Sequence, residues 1–180
     1  MAAGTTLHRF EIALSDVDRG VYEALDLRVA RHPSETVPFL LTRTLAYCLE
    51  HEPGISFSPG LSSTDEPAIS IRTPTGELSA WIEVGLPSPE RLHKASKSAA
   101  RVAVYSHREL EAWKRQCEAF GVHRAAGIRI RALDPRFLEA LGERLERRTC
   151  WELSVSEQVI YLGVDGVHLS TELVEHRLGE

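Results

Sequence analysis

Three acidic residues beside two short predicted strands have the types and spacing of a divalent metal site. Glu83 lies inside the apolar segment 79–85, and Asp65 and Glu66 immediately precede the segment 67–72. If these segments are neighbouring strands, an acid entering one and an acid inside the other lie close together. Two close carboxylates repel each other, and a hard cation such as Mg²⁺ or Mn²⁺ relieves that repulsion. The spacing therefore predicts an all-oxygen metal site.

The same acids also have ordinary structural explanations. A carboxylate in an apolar strand can lie at the exposed end of that strand or pair with an arginine, because burial of an unpaired charge is costly. The sequence Asp65-Glu66-Pro67 is typical of a solvated turn. From the residues alone, both interpretations stay open.

A basic segment follows the second strand and predicts an amphipathic helix over 89–100. At about 100° per residue its cationic side chains fall on one arc and its apolar side chains on another. A cationic stripe of this kind can bind a phosphate backbone or stabilise a charged transition state, although a simply solvated face is the alternative. The residues of the predicted stripe are Arg91, Lys94, Lys97 and Arg101.

Ser34 and Glu35 stand at the start of another predicted helix. Ser34 or Thr36 is available as the N-cap, with Ser34 the expected one, and the negative charge of Glu35 suits the positive end of a helix dipole. A second hypothesis for Glu35 is a catalytic role in support of a metal-bound water.

The hydrophobic periodicity predicts which elements position these side chains. Alternation predicts strands over 7–15 and 24–32, joined into an antiparallel hairpin. Next comes the order helix, three strands, helix, strand, over 35–51, 55–58, 67–72, 79–85, 89–100 and 101–106. The first three of those strands are predicted to form a meander, and the fourth strand is reached through the crossover helix. The remaining predictions are helices over 108–120 and from 134 to 147, and strands over 127–133, 150–155, 158–163 and 167–174. This pattern indicates a single α/β (α+β) domain spanning residues 1–180.

Composition limits the class of protein. The chain has 180 residues and a net charge of −5, which argues against coating of nucleic acid by bulk electrostatics but allows a local basic groove. Its three cysteines are widely spaced, which indicates reduced thiols rather than a zinc site or a disulfide framework. The sequence has no signal-peptide pattern and no apolar run long enough to span a membrane. We therefore expect a cytoplasmic protein without membrane association, and its oligomeric state stays open.

Three motifs together resemble the bacterial YaeQ family over nearly the whole chain. They are RVARHPSET at 28–36, DEP at 65–67 and WIE-x-G at 81–85, the last followed by the basic helix. The family resembles a variant of the PD-(D/E)XK nuclease superfamily, which has a restriction-endonuclease-like core of helix, three strands, helix and strand. The resemblance therefore implies that core, with additional strands at the N- and C-terminal ends.

The resemblance also implies roles for individual residues. Asp65 or Glu66 corresponds to the first metal-binding acid, and Glu83 corresponds to the second. The superfamily lysine lies two residues after the second acid, where this chain has Gly85. The implied replacement is a cation from the following helix, with Lys94 as the first candidate and Lys97 or Arg91 as alternatives.

Two functional hypotheses follow from the residues and the resemblance. The first is a Mg²⁺- or Mn²⁺-dependent nuclease-like protein acting on DNA or RNA phosphodiesters. Its metal would lower the pKa of a bound water, and Lys94 or Lys97 would stabilise the developing charge. The second is a non-catalytic module that binds nucleic acid or protein on the same fold. Because Gly85 replaces the superfamily lysine, catalytic activity is left open.

Overall fold

A computed structural model of the protein describes residues 4–59 and 65–180. Within those residues the chain forms four α-helices and eleven β-strands. The helices are α1 (Val37–Leu49), α2 (Pro89–Ser98), α3 (Glu111–Phe120) and α4 (Pro135–Gly142). The strands are β1 (Thr6–Asp16), β2 (Val21–Arg31), β3 (Ile55–Phe57), β4 (Ile69–Arg72), β5 (Leu78–Val84), β6 (Arg101–Ser106), β7 (Arg129–Ala132), β8 (Arg148–Ser156), β9 (Val159–Val164), β10 (Val167–Glu172) and β11 (Val174–Arg177).

The chain packs into two compact units, each built on one sheet. The first contains the described residues from 4 to 44 together with Leu133–Leu173, and the second contains the described residues of Leu45–Ala132 together with Val174–Glu180. The protein is thus a mixed α/β fold with two sheets. The prediction of a single domain over 1–180 stays a prediction, because compactness does not tell whether either unit folds alone.

The first unit has a five-stranded sheet with the order β10-β9-β8-β1-β2. Strands β1 and β2 form the predicted antiparallel hairpin, and β8 joins β1 in parallel. Alternation directs one set of side chains inward, where Phe10 packs against Trp151 with ring centroids 4.8 Å apart. The opposite face of this sheet carries mainly polar and small residues.

The second unit has a six-stranded sheet with the order β11-β7-β6-β5-β4-β3. Strands β3, β4 and β5 form the predicted antiparallel meander. Strand β6 then lies parallel to β5 and is reached through α2, so the predicted order of helix, three strands, helix and strand is observed from α1 to β6. One face of this sheet packs against α2 and α3 through a core that includes Trp81, Leu92, Val104 and Trp113.

The predicted C-terminal strand over 167–174 is wrong in its extent. It ends at Glu172 as β10, and β11 pairs with β7 in the other sheet. Between them, Leu173 is buried and its N–H donates to the carbonyl of Gln158 at 2.8 Å. Continuous alternation of polar and apolar residues cannot reveal such a change of sheet, because both halves obey the same period of two.

The predicted helix over 89–100 ends early, and this moves one predicted site residue. Helix α2 stops at Ser98, and Ala99 is already extended, with its N–H bonded to Ala95. Arg101 is therefore the first residue of β6 and not part of a helical stripe. The prediction that Arg101 shares one helical stripe with Arg91, Lys94 and Lys97 was wrong for that reason.

Other boundaries differ by a few residues. The helices predicted over 35–51, 108–120 and 134–147 are observed as α1, α3 and α4, each shorter than expected. Helix ends fray, and the local sequence does not determine the last turn. None of the helices within residues 4–59 and 65–180 combines the length and apolar character that a membrane span requires.

Candidate functional site

Glu83 is a buried carboxylate in the middle of the six-stranded sheet. Its side chain lies on the same face of β5 as Trp81, as the alternation predicts, and the residue is 5% exposed. Trp81 Nε1 donates to Glu83 Oε1 at 2.6 Å, and Arg91 Nε donates to the same oxygen at 2.7 Å. Among the described residues, no donor reaches the other oxygen, Oε2, so half of the carboxylate is left available to a further partner.

Helix α2 supplies the cations of the site. Ser88 caps the helix by accepting a hydrogen bond from the N–H of Arg91 at 3.2 Å, and Pro89 occupies the first turn, where its missing N–H is not needed. Leu92 and Ala95 are buried against the sheet. This anchoring turns Arg91 and the next cation of the helix towards β5 and the segment before β4.

Arg91 and Lys94 lie one turn apart and contact different acids. Arg91 Nη2 donates to the main-chain oxygen of Glu66 at 2.5 Å, so its guanidinium bridges that carbonyl and the carboxylate of Glu83. Lys94 Nζ forms an ion pair with Asp65 Oδ1. The structure therefore brings Asp65, Glu66 and Glu83 next to cations of one helix.

The environment shifts the two carboxylates in opposite directions. Burial raises the pKa of Glu83, and the hydrogen bond from Trp81 and the charge of Arg91 oppose that shift only in part. The hydrogen bond and charge of Lys94 lower the pKa of Asp65, which is an exposed residue. Only Glu83 therefore gains from a further cation that would compensate the burial of its charge.

Gly85 has a structural reason to be glycine. Its φ is 92°, in the left-handed region that a lysine adopts only under strain, and its N–H donates to the carbonyl of Tyr105 at 2.8 Å. The backbone turns at the end of β5 in a way that disfavours a side chain here. A cation for Glu83 has to come from elsewhere, and Arg91, one of the predicted alternatives, contacts it. Lys94 contacts Asp65 instead, while Lys97 is exposed on the same helix.

The groups around Glu83 that could bind a divalent metal are oxygens. Among the described residues they are the carboxylates of Asp65 and Glu83 and the main-chain carbonyl of Glu66. In the parts of the chain that the structure describes, no three His, Cys, Asp or Glu side chains are grouped closely enough to hold an ion. Mg²⁺ is nevertheless commonly held by one or two carboxylates with waters and substrate phosphates. The guanidinium of Arg91 contacts two of these oxygens, and oxygen donors of this kind are those that a hard ion prefers.

Arg101 is not brought together with the other predicted cations. It projects from the face of the sheet opposite to Glu83 and forms an ion pair with Glu50, which is 4% exposed. The hydroxyl of Tyr105 donates to the second oxygen of Glu50 at 2.7 Å, and Nη2 of Arg129 lies 3.7 Å from that oxygen. Sequence reasoning missed this cluster, because its members are far apart in the chain and match no motif.

Glu35 belongs to the other compact unit, where it is buried. Its carboxylate lies 2.9 Å from Nη2 of Arg43 and accepts the N–H of His32 at 3.1 Å. Ser34 bonds to the ring of His32, and Thr36 instead caps α1 by accepting the N–H of Phe39 at 3.2 Å. The capping role expected of Ser34 was therefore wrong, and the catalytic role of Glu35 stays a prediction.

Comparison with known proteins places these residues in one family. The model of the YaeQ protein family matches residues 1–173. Uncharacterized protein YaeQ of Escherichia coli (strain K12) is 30% identical over 175 residues, which cover 96% of both chains. The crystal structure of the YaeQ protein from Pseudomonas syringae has a TM-score of 0.86 and 31% identity, and covers 97% of this chain and 96% of its own. The YaeQ structure from Xanthomonas axonopodis pv. citri has a TM-score of 0.84 and 31% identity, with coverage of 97% and 98%. The chain belongs to the YaeQ family.

Proposed function

We propose that this protein is a Mg²⁺- or Mn²⁺-dependent nuclease-like protein that acts on DNA or RNA phosphodiesters. The observation that carries the proposal is the state of Glu83, which is buried, has a raised pKa and keeps one oxygen that no donor among the described residues reaches. A perturbed carboxylate beside a cationic helix is typical of a functional site. The order of elements from α1 to β6 also agrees with a restriction-endonuclease-like core of the PD-(D/E)XK type.

Glu83, the main-chain carbonyl of Glu66 and the carboxylate of Asp65 would hold the metal in this proposal. When bound, it lowers the pKa of a water ligand and polarises a phosphoryl oxygen. Arg91, which contacts the first two oxygens, could then contact a phosphate oxygen. The exchange of one cation for another keeps the buried charge of Glu83 compensated.

The other side chains of the site bind and orient. The indole N–H of Trp81 holds the carboxylate of Glu83 in one orientation. Lys94 is close enough to Asp65 to stabilise negative charge that develops near the metal ligands. Lys97, exposed on α2, contacts the phosphate backbone without reading bases. Nucleic acid is the partner that these contacts fit.

A second candidate function is supported by the pairing of the acids. Asp65 and Glu83 are each neutralised by a cation of α2, and a neutralised pair performs no chemistry by itself. The alternative is a non-catalytic module on the same fold that binds nucleic acid or protein. In that case Glu83 and Arg91 serve as a structural pair.

One experiment separates the two functions. Metal-free protein is incubated with single- and double-stranded DNA and RNA, with and without Mg²⁺ or Mn²⁺. We expect cleavage only with metal, and a loss of at least about 100-fold for Glu83→Ala, because removal of a metal ligand removes charge stabilisation in the transition state. Glu77→Ala is the matched control, since Glu77 is an exposed carboxylate in the turn before β5.

The outcomes are distinct once circular dichroism has established that both variants are folded. Cleavage that survives Glu83→Ala contradicts the assigned site. Salt-sensitive nucleic-acid binding without cleavage, unchanged by Glu83→Ala, favours the binding module. Binding of Mn²⁺ to the wild type but not to Glu83→Ala, measured by calorimetry, tests the metal ligand independently of turnover.

A further inference from the structure

A patch of arginines lies on the face of the six-stranded sheet opposite to Glu83. The register places Arg129 beside Ala103 and Arg131 beside Tyr105, so these side chains share the face from which Arg101 also projects. Strand β11 adds a fourth arginine to the same face. The arginine patch is defined as Arg101, Arg129, Arg131 and Arg177.

Two of these arginines are direct cross-strand neighbours. Arg129 and Arg177 face each other in the antiparallel pair of β7 and β11. Like charges in directly opposite positions destabilise a sheet. The fold therefore keeps a repulsive pair at this position, and an anion between the two guanidiniums would relieve it.

The carboxylate of Glu175 is the nearest anion, and three guanidiniums share it loosely. Its Oε2 lies 3.5 Å from Nη2 of Arg131 and 3.8 Å from Nε of Arg129. Its Oε1 lies 3.2 Å from Nη2 of Arg177. Nη2 of Arg129 also lies 3.7 Å from Glu50. Among the described residues, the four arginines of the patch therefore share the carboxylates of Glu50, Glu52 and Glu175, which leaves one positive charge in excess.

The contacts of Glu175 with Arg129, Arg131 and Arg177 are longer than the two hydrogen bonds between Arg9 and Asp26. Arg9 donates to both oxygens of Asp26 at 2.7 and 2.9 Å, a paired geometry that is usual for charge-assisted hydrogen bonds. In the patch, by contrast, the Nε atoms of Arg129 and Arg131 are buried and have no hydrogen-bond partner among the described residues. Buried donors without partners are rare, and an unseen ligand or water is a common explanation.

The fourth arginine is already engaged, which limits the site to the other three. Arg101 pairs with Glu50 and lies 3.6 Å from Glu52. The side chains of Arg129 and Arg177 are 29% and 35% exposed, so a small anion can reach them. The open donors therefore lie around Glu175.

We propose that Arg129, Arg131 and Arg177 bind a phosphate group. A phosphate offers several acceptor oxygens and up to two negative charges, and its geometry matches the planar fork of a guanidinium. It would join or displace Glu175 and satisfy donors that one carboxylate cannot reach. Because the site faces away from Glu83, it does not depend on the proposed hydrolysis. The phosphate belongs either to a small phosphorylated molecule or to a nucleic-acid backbone.

The test is a titration with inorganic phosphate, followed by thermal unfolding at ionic strength matched with chloride. Phosphate stabilises many proteins non-specifically, so a matched variant is essential. We expect the melting temperature of the wild type and of Arg136→Gln, an exposed arginine on α4, to rise equally. For Arg129→Gln we expect phosphate binding at least about tenfold weaker, because a charge-assisted donor is lost.

A second variant covers the case in which Arg129→Gln does not fold. Arg177→Gln removes the arginine that faces Arg129 near the end of the chain. We expect it to lose the response to phosphate by a similar factor while remaining folded. Equal phosphate stabilisation in all variants, or none in the wild type, overturns the proposal.

A competition experiment identifies the source of the phosphate. An oligonucleotide without terminal phosphates is added to the phosphate-bound protein, and bound phosphate is followed by phosphorus NMR. Displacement assigns the site to a nucleic-acid backbone, and retention assigns it to small phosphorylated molecules. Glu83→Ala should leave phosphate binding unchanged, which keeps this site separate from the proposed nuclease site.

Discussion

The two faces of the six-stranded sheet each bury one carboxylate, and the two are bonded differently. Glu50 accepts a hydrogen bond on each of its oxygens, one from Tyr105 and one from Arg101. Glu83 accepts both of its hydrogen bonds on a single oxygen. The fold therefore engages Glu50 completely, whereas Glu83 keeps an oxygen that no donor among the described residues reaches.

This difference separates a structural ion pair from a carboxylate that is available for chemistry. A buried charge is tolerated when its partners and hydrogen bonds are complete. Glu50 meets that condition from within the fold. Glu83 meets it only in part, which is the state expected of a group that binds a further cation.

The largest expected effect comes from removing the fully bonded carboxylate. Glu50→Ala leaves Arg101 and the buried hydroxyl of Tyr105 without their acceptor, and we expect a loss of about 3 kcal/mol in the free energy of unfolding. Urea denaturation followed by circular dichroism measures it. Glu52→Ala is the control, because Glu52 is 48% exposed and lies 3.6 Å from the same arginine.

We expect the control to change the free energy of unfolding by less than about 0.5 kcal/mol, as exposed substitutions usually do. Equal losses in both variants would mean that complete bonding does not distinguish Glu50. The comparison between the two faces of the sheet would then fail.

The next effect is the pH dependence of the stability that Glu83 contributes. Burial raises its pKa in the folded protein above the ordinary value of 4.5, so the folded state binds more protons than the unfolded state over that interval. The stability contributed by this group is therefore lost as the pH rises from about 4.5 through the folded pKa. We expect Glu83→Gln to become more stable, relative to the wild type, over the same interval.

Free energies of unfolding of both proteins, measured from pH 4 to pH 8, give this difference directly. Glu77→Gln serves as the reference, because it removes an exposed carboxylate from the same unit. A difference that does not change with pH would indicate that burial does not raise the pKa of Glu83 in the folded protein. That result would remove the reason to regard Glu83 as available to a further cation.

The smallest effect is expected at the exposed pair of α2. Asp65 is 79% exposed and Lys94 is 47% exposed, so water and salt screen their attraction. We expect Lys94→Ala to leave the midpoint of urea unfolding unchanged, like Lys97→Ala on the same helix. A clear drop in the midpoint of urea unfolding for Lys94→Ala alone would show that the pair of Asp65 and Lys94 stabilises the fold.

Local patterns predicted much of the fold. Alternation predicted the β1–β2 hairpin and the meander, and the proline and serine at 88–89 predicted the start of α2. Because side chains alternate across a strand, the sequence predicted that Trp81 and Glu83 share one face of β5. In the structure the indole N–H contacts the carboxylate there. These features depend on neighbours within a few residues, so the sequence contains their causes.

The ion-pair and hydrogen-bond partners of the charged residues could not be predicted from the sequence. Arg101 and Tyr105 contact Glu50 across 51 and 55 residues of sequence. The arginine patch likewise depends on β11, whose transfer to the second sheet alternation does not reveal. A single sequence contains no signal for contacts that form only when distant strands become neighbours.

The sequence by itself determined the family resemblance, the acids beside β4 and β5 and the cationic helix after them. It also showed that Gly85 stands where the superfamily has a lysine, but not why. Only the tertiary structure decided that the backbone there turns with a φ of 92° and that Arg91 reaches Glu83 instead. Residue types and periodicity are local properties, whereas the pairing of charges depends on which surfaces folding brings together.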